Sequence, residues 1–231
     1  MLYLLPSPLS DFSLDQQIPA GCLKHLSSTK IFIVEELKSA RRFLKKMIPD
    51  FDINNCTFFE CNEHSENQSY PEIISQLKHK DGLLMSEAGI PCLADPGAEI
   101  VRMCHKANIA VKPLSGPGSI YMALAASGLN GQQFTFHGYL PARDKNALHS
   151  KLKQMASDVL QRRYTQIFIE TPYRNKALFL ELLVVLPGNI LLTVASDITS
   201  ESEFISTRSI AEWKQMNYEP GKVPVVFCMG I

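Results

Sequence analysis

Short apolar runs alternate with amphipathic stretches from the first residues onward, and this limits the chain to an α/β architecture more than any other feature does. Leu2–Leu5, the β-branched "IFIV" at 31–34, Cys56–Phe59, Gly82–Met85 and Ile109–Val111 read as strands. A helix is predicted over about Asp15–Leu26. A second places Leu37, Ala40, Phe43, Leu44, Met47 and Ile48 on one face until Pro49 stops it. Tyr70–Lys80 and Ala98–Ala107 read as two more. Strands and helices in this order build parallel or mostly parallel sheets covered by helices on both faces.

The best linker candidate is "KPLSGPGS", 112–119, and the pattern changes after it. Ile120–Ser127 is apolar nearly all round, which predicts a buried helix with Ser119 as N-cap and Gly128 as stop. A strand through Phe134, Phe136 and Tyr139 follows, then a polar helix from Lys145 to Gln161, the strand Gln166–Glu170 and the helix Asn175–Leu186. The strands Ile190–Ala195 and Ser202–Ser206, a short helix near Ser209–Lys214 and a last strand, Val223–Met229, complete the series. We therefore expect two α/β domains, residues 1–113 and 114–231, with a hinge near Pro113–Gly118.

A chain of 231 residues can bury a large core without metal or disulfide staples. Lysine and arginine total 23 and so do aspartate and glutamate, so no global field draws nucleic acid or a membrane, and any basic surface is local. The six cysteines form no CxxC pair, the apolar start ends at Pro6 without a basic flank, and no apolar run nears the ~20 residues of a membrane span. Reduced thiols, a cytoplasmic location and no membrane partner are the expectation. Cys61 and His64 stand as C-x2-H with no second pair, so zinc is not expected.

Several stretches fall at predicted strand ends, where ligands collect in open α/β sheets. "SEAGIPCLADPGAEIV", 86–101, is either a rigid capped turn, with Asp95 as N-cap before Pro96, or a ligand mouth whose Gly89 admits close backbone approach. "SGPGS", 115–119, lacks the spacing and lysine of a phosphate loop and suits close backbone packing or a flat neutral group. In "IFIETPYR", 167–174, Arg174 either pairs with Glu170 or faces a substrate. Glu35 and Glu36 either complement a helix dipole or stand at the functional edge. The basic runs at 38–46 and 143–163 are either solvated faces or local contacts for RNA phosphates.

The segments "LYLLPSPLSD", "VEELKSARRFL", "SEAGIPCLADPGAEIV", "PLSGPGSIYMALAASGL", "FTFHGYLP" and "FIETPYR" also follow the motif order of one family along nearly the whole chain. It is the S-adenosylmethionine-dependent tetrapyrrole methylase superfamily, and within it the chain most resembles the ribosomal RNA small-subunit methyltransferase I branch. That branch carries D-A-G-T-P running into D-P-G, then P-G-P-S before a helix ending A-S-G-L, then F-Y-E-S/T-x-x-R.

The resemblance implies two α/β domains with S-adenosyl-L-methionine in the cleft between them and a homodimer. It also implies a partner in ribosomal RNA or the small ribosomal subunit, methylated at the 2′-oxygen of a cytidine. It places Leu9 at the cofactor, Glu87, Ala88, Gly89 and Cys92 around its methionine and ribose parts, and Ser86 beside them. Gly118 and Ser119 match the interdomain contact, Glu170 the second-domain strand end, and Ile198 and Pro224 the adenine-side wall.

The branch's E-D-T-R stands here as Glu35-Glu36-Leu37-Lys38, which removes a bidentate arginine, and its D-A-G aspartate is Glu87. The chain is also expected to stop at its final strand, without the extra C-terminal segment that the resemblance implies for longer members. A ribose hydroxyl attacks well only if its proton is taken, so Glu35 or Glu36 is the expected base, with Lys38, Arg42 and Arg174 toward the substrate. The competing readings are a methylase of a tetrapyrrole precursor and a cofactor-binding relative that acts as an RNA or protein partner.

Overall fold

The computed structural model describes residues 1–62, 69–141 and 143–231. His64, half of the Cys61/His64 spacing, lies outside the described residues. The chain divides into two compact units, Met1–Gly118 and Ser119–Ile231.

The first unit is built on a five-stranded sheet in the order β3-β2-β4-β1-β5, with β1 Leu2–Leu4, β2 Ile31–Val34, β3 Thr57–Glu60, β4 Gly82–Met85 and β5 Val111–Pro113. Every pairing in it is parallel. β2 and β4 are buried on both faces, which is why both sequences are continuous apolar runs. Their side chains alternate between two cores. Phe32, Val34, Leu83 and Met85 meet helices α2 (Ala20–Ser28) and α3 (Leu37–Met47) on one face. Ile33 and Leu84 meet α4 (Tyr70–Leu77) and α5 (Ala98–Lys106) on the other.

The helix expected over 15–26 is two helices, α1 (Leu14–Gln17) and α2, because Pro19 supplies no N–H and holds Ile18 extended. The helix expected over Ala98–Ala107 runs from Ala98 to Lys106, and its N-cap is Gly97, at φ +117°, instead of Asp95. Residues 114–118 pack on this first unit. Leu114 N–H donates to the Leu4 carbonyl at 2.9 Å, and a Cβ on Gly116 would lie 2.7 Å from Pro6. Close backbone packing is therefore what the "SGPGS" glycine provides at 116.

The second unit holds a mixed sheet in the order β6-β7-β10-β8-β9, with β6 Phe134–Tyr139, β7 Thr165–Glu170, β8 Leu191–Ser196, β9 Phe204–Ser209 and β10 Val225–Gly230. β6 and β7 are parallel, while β10 runs antiparallel to both of its neighbours and β9 antiparallel to β8. One face carries the main core. There α7 (Lys145–Arg162), α8 (Asn175–Val185) and α9 (Ile210–Gln215) cover Phe168, Val194 and Phe227. Trp213 anchors it, its indole N–H donating to the Leu192 carbonyl at 2.8 Å and its ring meeting Phe179 edge-on.

α6 (Ser119–Ser127) takes the opposite face, held by the Thr207 hydroxyl donating to the Ser127 carbonyl at 2.8 Å. It is buried on one face only. Ile120, Ala123 and Leu124 turn inward, while Tyr121, Ala125 and Ala126 are exposed, so its all-round apolar character does not mean all-round burial.

Candidate functional site

The path of the first unit creates an opening at one place. The chain leaves β1 and β2 toward the face of α2 and α3, but leaves β4 toward the face of α5. The loop after β4 therefore parts from both neighbours at their carboxyl ends, the geometry in which open α/β sheets bind ligands. Leu9 follows β1, Glu35 follows β2 and Ser86–Cys92 follow β4, so the structure brings these predicted residues to one edge.

The edge is stiff. Ser7 and Gly89 exchange backbone hydrogen bonds at 2.8 and 2.9 Å, and the Ser7 hydroxyl donates to the Ser86 carbonyl at 2.6 Å. The Ser86 side chain is buried and bonds within its own loop. Its place is in the scaffold rather than on the open side. Gly89 sits at φ +77°, and a Cβ there would meet the Leu9 side chain at 3.4 Å and the Gly118 Cα at 3.9 Å. Cys92 and Ala94 also take left-handed backbone, at φ +69° and +66°, so the loop is wound into a fixed shape before the helix begins. Burial pushes the Cys92 thiol up to about 11, which keeps it protonated and unreactive.

Sequence reasoning missed Gln17. Its amide accepts from Leu9 N–H at 2.8 Å and donates to the Phe12 carbonyl at 2.6 Å, which shapes the loop after β1. A polar residue mostly buried in a four-residue helix was the available signal.

Three carboxylates converge on this loop. Glu35 accepts the Glu87 backbone N–H at 3.1 Å, tying the β2 end to the β4 end. Asp95 is pushed up to about 6, chiefly by burial and then by the negative charges of Glu35 and, to a smaller extent, Glu87, while a hydrogen bond with Ser86 opposes the shift. Asp95 is therefore part of the acidic edge and not the helix cap expected from its place before Pro96.

Glu36 is the reverse case. Its carboxylate caps α3, accepting from Lys38 N–H at 2.9 Å and Ser39 N–H at 2.5 Å, and those bonds hold its pKa below the usual carboxylate range. Of the two residues expected as bases, Glu35 reaches the loop and Glu36 is a structural cap.

A cavity of about 250 Å³ opens beside the edge, with Leu9, Glu87, Ala88 and Arg42 in its lining. Arg42 thus joins the predicted cofactor residues, whereas Lys38 does not line it. Along the same helix Lys46 is paired with Asp11 at 2.8 Å and Arg41 lies over the Phe58 ring.

In the second unit, Glu170, Ser196 and Val225 stand in register across the sheet. Asp197 N–H donates to the Pro224 carbonyl at 2.9 Å, so Ile198 and Pro224 lie together at the edge where β7 and β8 end. Ile198 is buried between Asp197 and Thr199, both with positive φ, and Pro224 is exposed. Glu170 and Arg174 pair, with Oε1 accepting Nε at 2.9 Å and Nη2 at 2.5 Å. Strand alternation points Glu170 to the Phe168 face, under α7 and α8 and opposite the face on which Ser119 begins α6.

No protein-family model matches the chain. It is 33% identical over 213 residues to the ribosomal RNA small subunit methyltransferase I of Vibrio cholerae, covering 92% of this chain and 69% of that one. To the protein of the same name from Haemophilus influenzae it is 28% identical over 217 residues, covering 92% and 72%. Among solved structures, the methyltransferase CobJ is similar with TM-score 0.63 at 12% identity, over 99% of this chain and 93% of that one. Uroporphyrin-III-C-methyltransferase from Thermus thermophilus gives 0.55 at 14% identity, over 99% and 91%. At these identities the two structures speak to the fold alone.

Proposed function

This chain belongs to the ribosomal RNA small subunit methyltransferase I family, and from that premise we propose that it methylates the 2′-oxygen of a cytidine in small-subunit ribosomal RNA. The methyl donor is S-adenosyl-L-methionine, which supplies an electrophilic methyl group on a cationic sulfur. The observation that carries the reading is the pinned, acid-lined loop after β4. Glu35, Glu87 and Asp95 set up a negative field where a cation is to be held, and Gly89 leaves the backbone open beside Leu9. These residues fit a positively charged donor.

Methyl transfer is an in-line displacement, so positioning contributes most of the rate. The double hydrogen bond between Ser7 and Gly89 keeps the loops after β1 and β4 in fixed relation, which lowers the ordering required on binding. Glu35 is the base. Its Oε2 is oriented by the Glu87 N–H, and its part is to take the proton of the attacking hydroxyl. Arg42, in the lining of the adjoining cavity, orients a substrate phosphate. We place the protein in the cytoplasm as a homodimer.

The test is to incubate the full chain and radiolabelled S-adenosyl-L-methionine with small ribosomal subunits, free ribosomal RNA and a porphyrinoid. Label is expected in RNA, at a ribose of cytidine after nuclease digestion. Label in the porphyrinoid alone would replace this reading with tetrapyrrole methylation. Donor binding with no transfer to any acceptor would leave a cofactor-binding partner protein.

A further inference from the structure

The second unit holds a cavity of about 200 Å³ between α7 and α8. Its walls are the buried side chains of Leu140, Leu148 and Leu178. Glu170 reaches into it from the end of β7, with 2% of its side chain exposed. Oε1 accepts the Thr171 N–H at 2.6 Å as well as both Arg174 nitrogens. Oε2 accepts nothing from the described residues. That oxygen is not one of the fully buried unpartnered atoms, so water can reach it, and a ligand donor entering the cavity can take that water's place. Arg174 turns its Nε and Nη2 edge to Oε1, which leaves Nη1 on the side of the guanidinium away from the carboxylate.

The charges around the cavity decide what can enter. Arg174 is matched by Glu170, and Lys145 by Glu181 at 2.8 Å, with His149 on the other Glu181 oxygen at 2.6 Å. No net positive charge remains for a free anion. The volume is below the ~300–1,000 Å³ that buries a drug-sized ligand, so a whole nucleoside cofactor is too large. A flat neutral heterocycle fits apolar walls with a carboxylate acceptor fixed at the inner end.

We propose that this cavity receives one unpaired cytosine of the RNA substrate, whose exocyclic amine donates to Glu170 Oε2. Uracil, with O4, and guanine, with O6, would each set a carbonyl against the carboxylate. The inference rests on the RNA reading above and adds the element that selects the base. Adenine shares the amine–acceptor edge and is tested as the second arm.

Fluorescent RNA trinucleotides with cytidine, adenosine or uridine at the centre are titrated with the full chain at one salt concentration, and anisotropy gives Kd. Wild type is expected to bind the cytidine form on the order of tenfold tighter than the uridine form. Glu170→Gln should bring the two within about threefold, because a turned amide offers N–H to the uracil carbonyl. Ala177→Phe, at an exposed position of α8 that lines the cavity mouth, should weaken both forms without lowering the thermal midpoint.

Equal cytidine and uridine affinities in wild type, a preference that survives Glu170→Gln, adenosine preferred over cytidine, or indifference to Ala177→Phe would each overturn the proposal. Methyl transfer to RNA by wild type is measured in parallel. Transfer without base preference removes the pocket alone, and absence of transfer to any RNA removes the RNA reading and the pocket with it.

Discussion

Replacing Asp95 with asparagine should stabilise the protein, and by an amount that depends on pH. Burial, and after it the charges of Glu35 and Glu87, push the carboxyl up to about 6 in the folded chain against an ordinary value of 3.8. Below 3.8 both folded and unfolded chains hold the proton and no penalty exists. Between 3.8 and about 6 the unfolded chain releases it first, and above about 6 the full penalty is in place. Two pKa units at about 1.4 kcal/mol each give a penalty of about 3 kcal/mol near pH 8, falling below about 1 kcal/mol near pH 4. Asparagine keeps a partner for Ser86 and carries no charge, so Asp95→Asn should recover much of that difference at the higher pH and little at the lower. Urea unfolding of both chains, followed by circular dichroism at the two pH values, measures it. The variant should also bind S-adenosyl-L-methionine more weakly, since one of three charges favouring a cation is gone. A stability change equal at both pH values, or a variant less stable near pH 8, would refute the electrostatic account of this loop.

Other substitutions separate scaffold from chemistry. Gly97→Ala combines φ +117° with a Cβ only 2.7 Å from Leu84 Cδ2, and should lower the urea-unfolding stability by about 2–4 kcal/mol. Glu35→Gln should reduce single-turnover methyl transfer by about a hundredfold or more, while donor affinity, read by calorimetry, falls only by the modest factor expected for Asp95→Asn. Glu36→Ala should instead lower the thermal midpoint through the lost α3 cap while the folded protein still transfers methyl groups. Trp213→Phe removes one buried hydrogen bond to the Leu192 carbonyl and part of a fully buried ring, and should lower stability by about 1–3 kcal/mol in denaturant titration.

Strands such as β2 and β4 were legible because burial on both faces leaves a continuous apolar run, and helix α3 because its apolar residues recur at the helical period. The split between α1 and α2 was harder. Apolar positions continue in period across Pro19, and the missing N–H matters only to the backbone.

Within the site, Leu9, Glu87 and Gly89 were reached through motif order and strand ends. What distinguished Glu35 from Glu36, adjacent in sequence and identical in type, was which carboxylate found a helix terminus and which found a loop 52 residues away. Asp95 looked like a cap because capping is a local rule, whereas its raised pKa comes first from burial and then from a carboxylate, Glu35, on another strand end. The cavity at Glu170 was legible only as a question about Arg174. Its walls come from positions 140, 148 and 178, and no spacing rule joins them.

The place of β10 bears on how the molecule is made. It is the middle strand of the second sheet, yet residues 225–230 are the last of its strands to be synthesised. Until they emerge, β6–β7 and β8–β9 are two separate ribbons, each with an open edge awaiting the same insertion. All residues of the first unit are made by position 118, so it can begin to fold while the second is still being translated. A stalled or truncated product would therefore carry a finished donor-side loop joined to two unpaired β edges, the form of this chain most prone to aggregate.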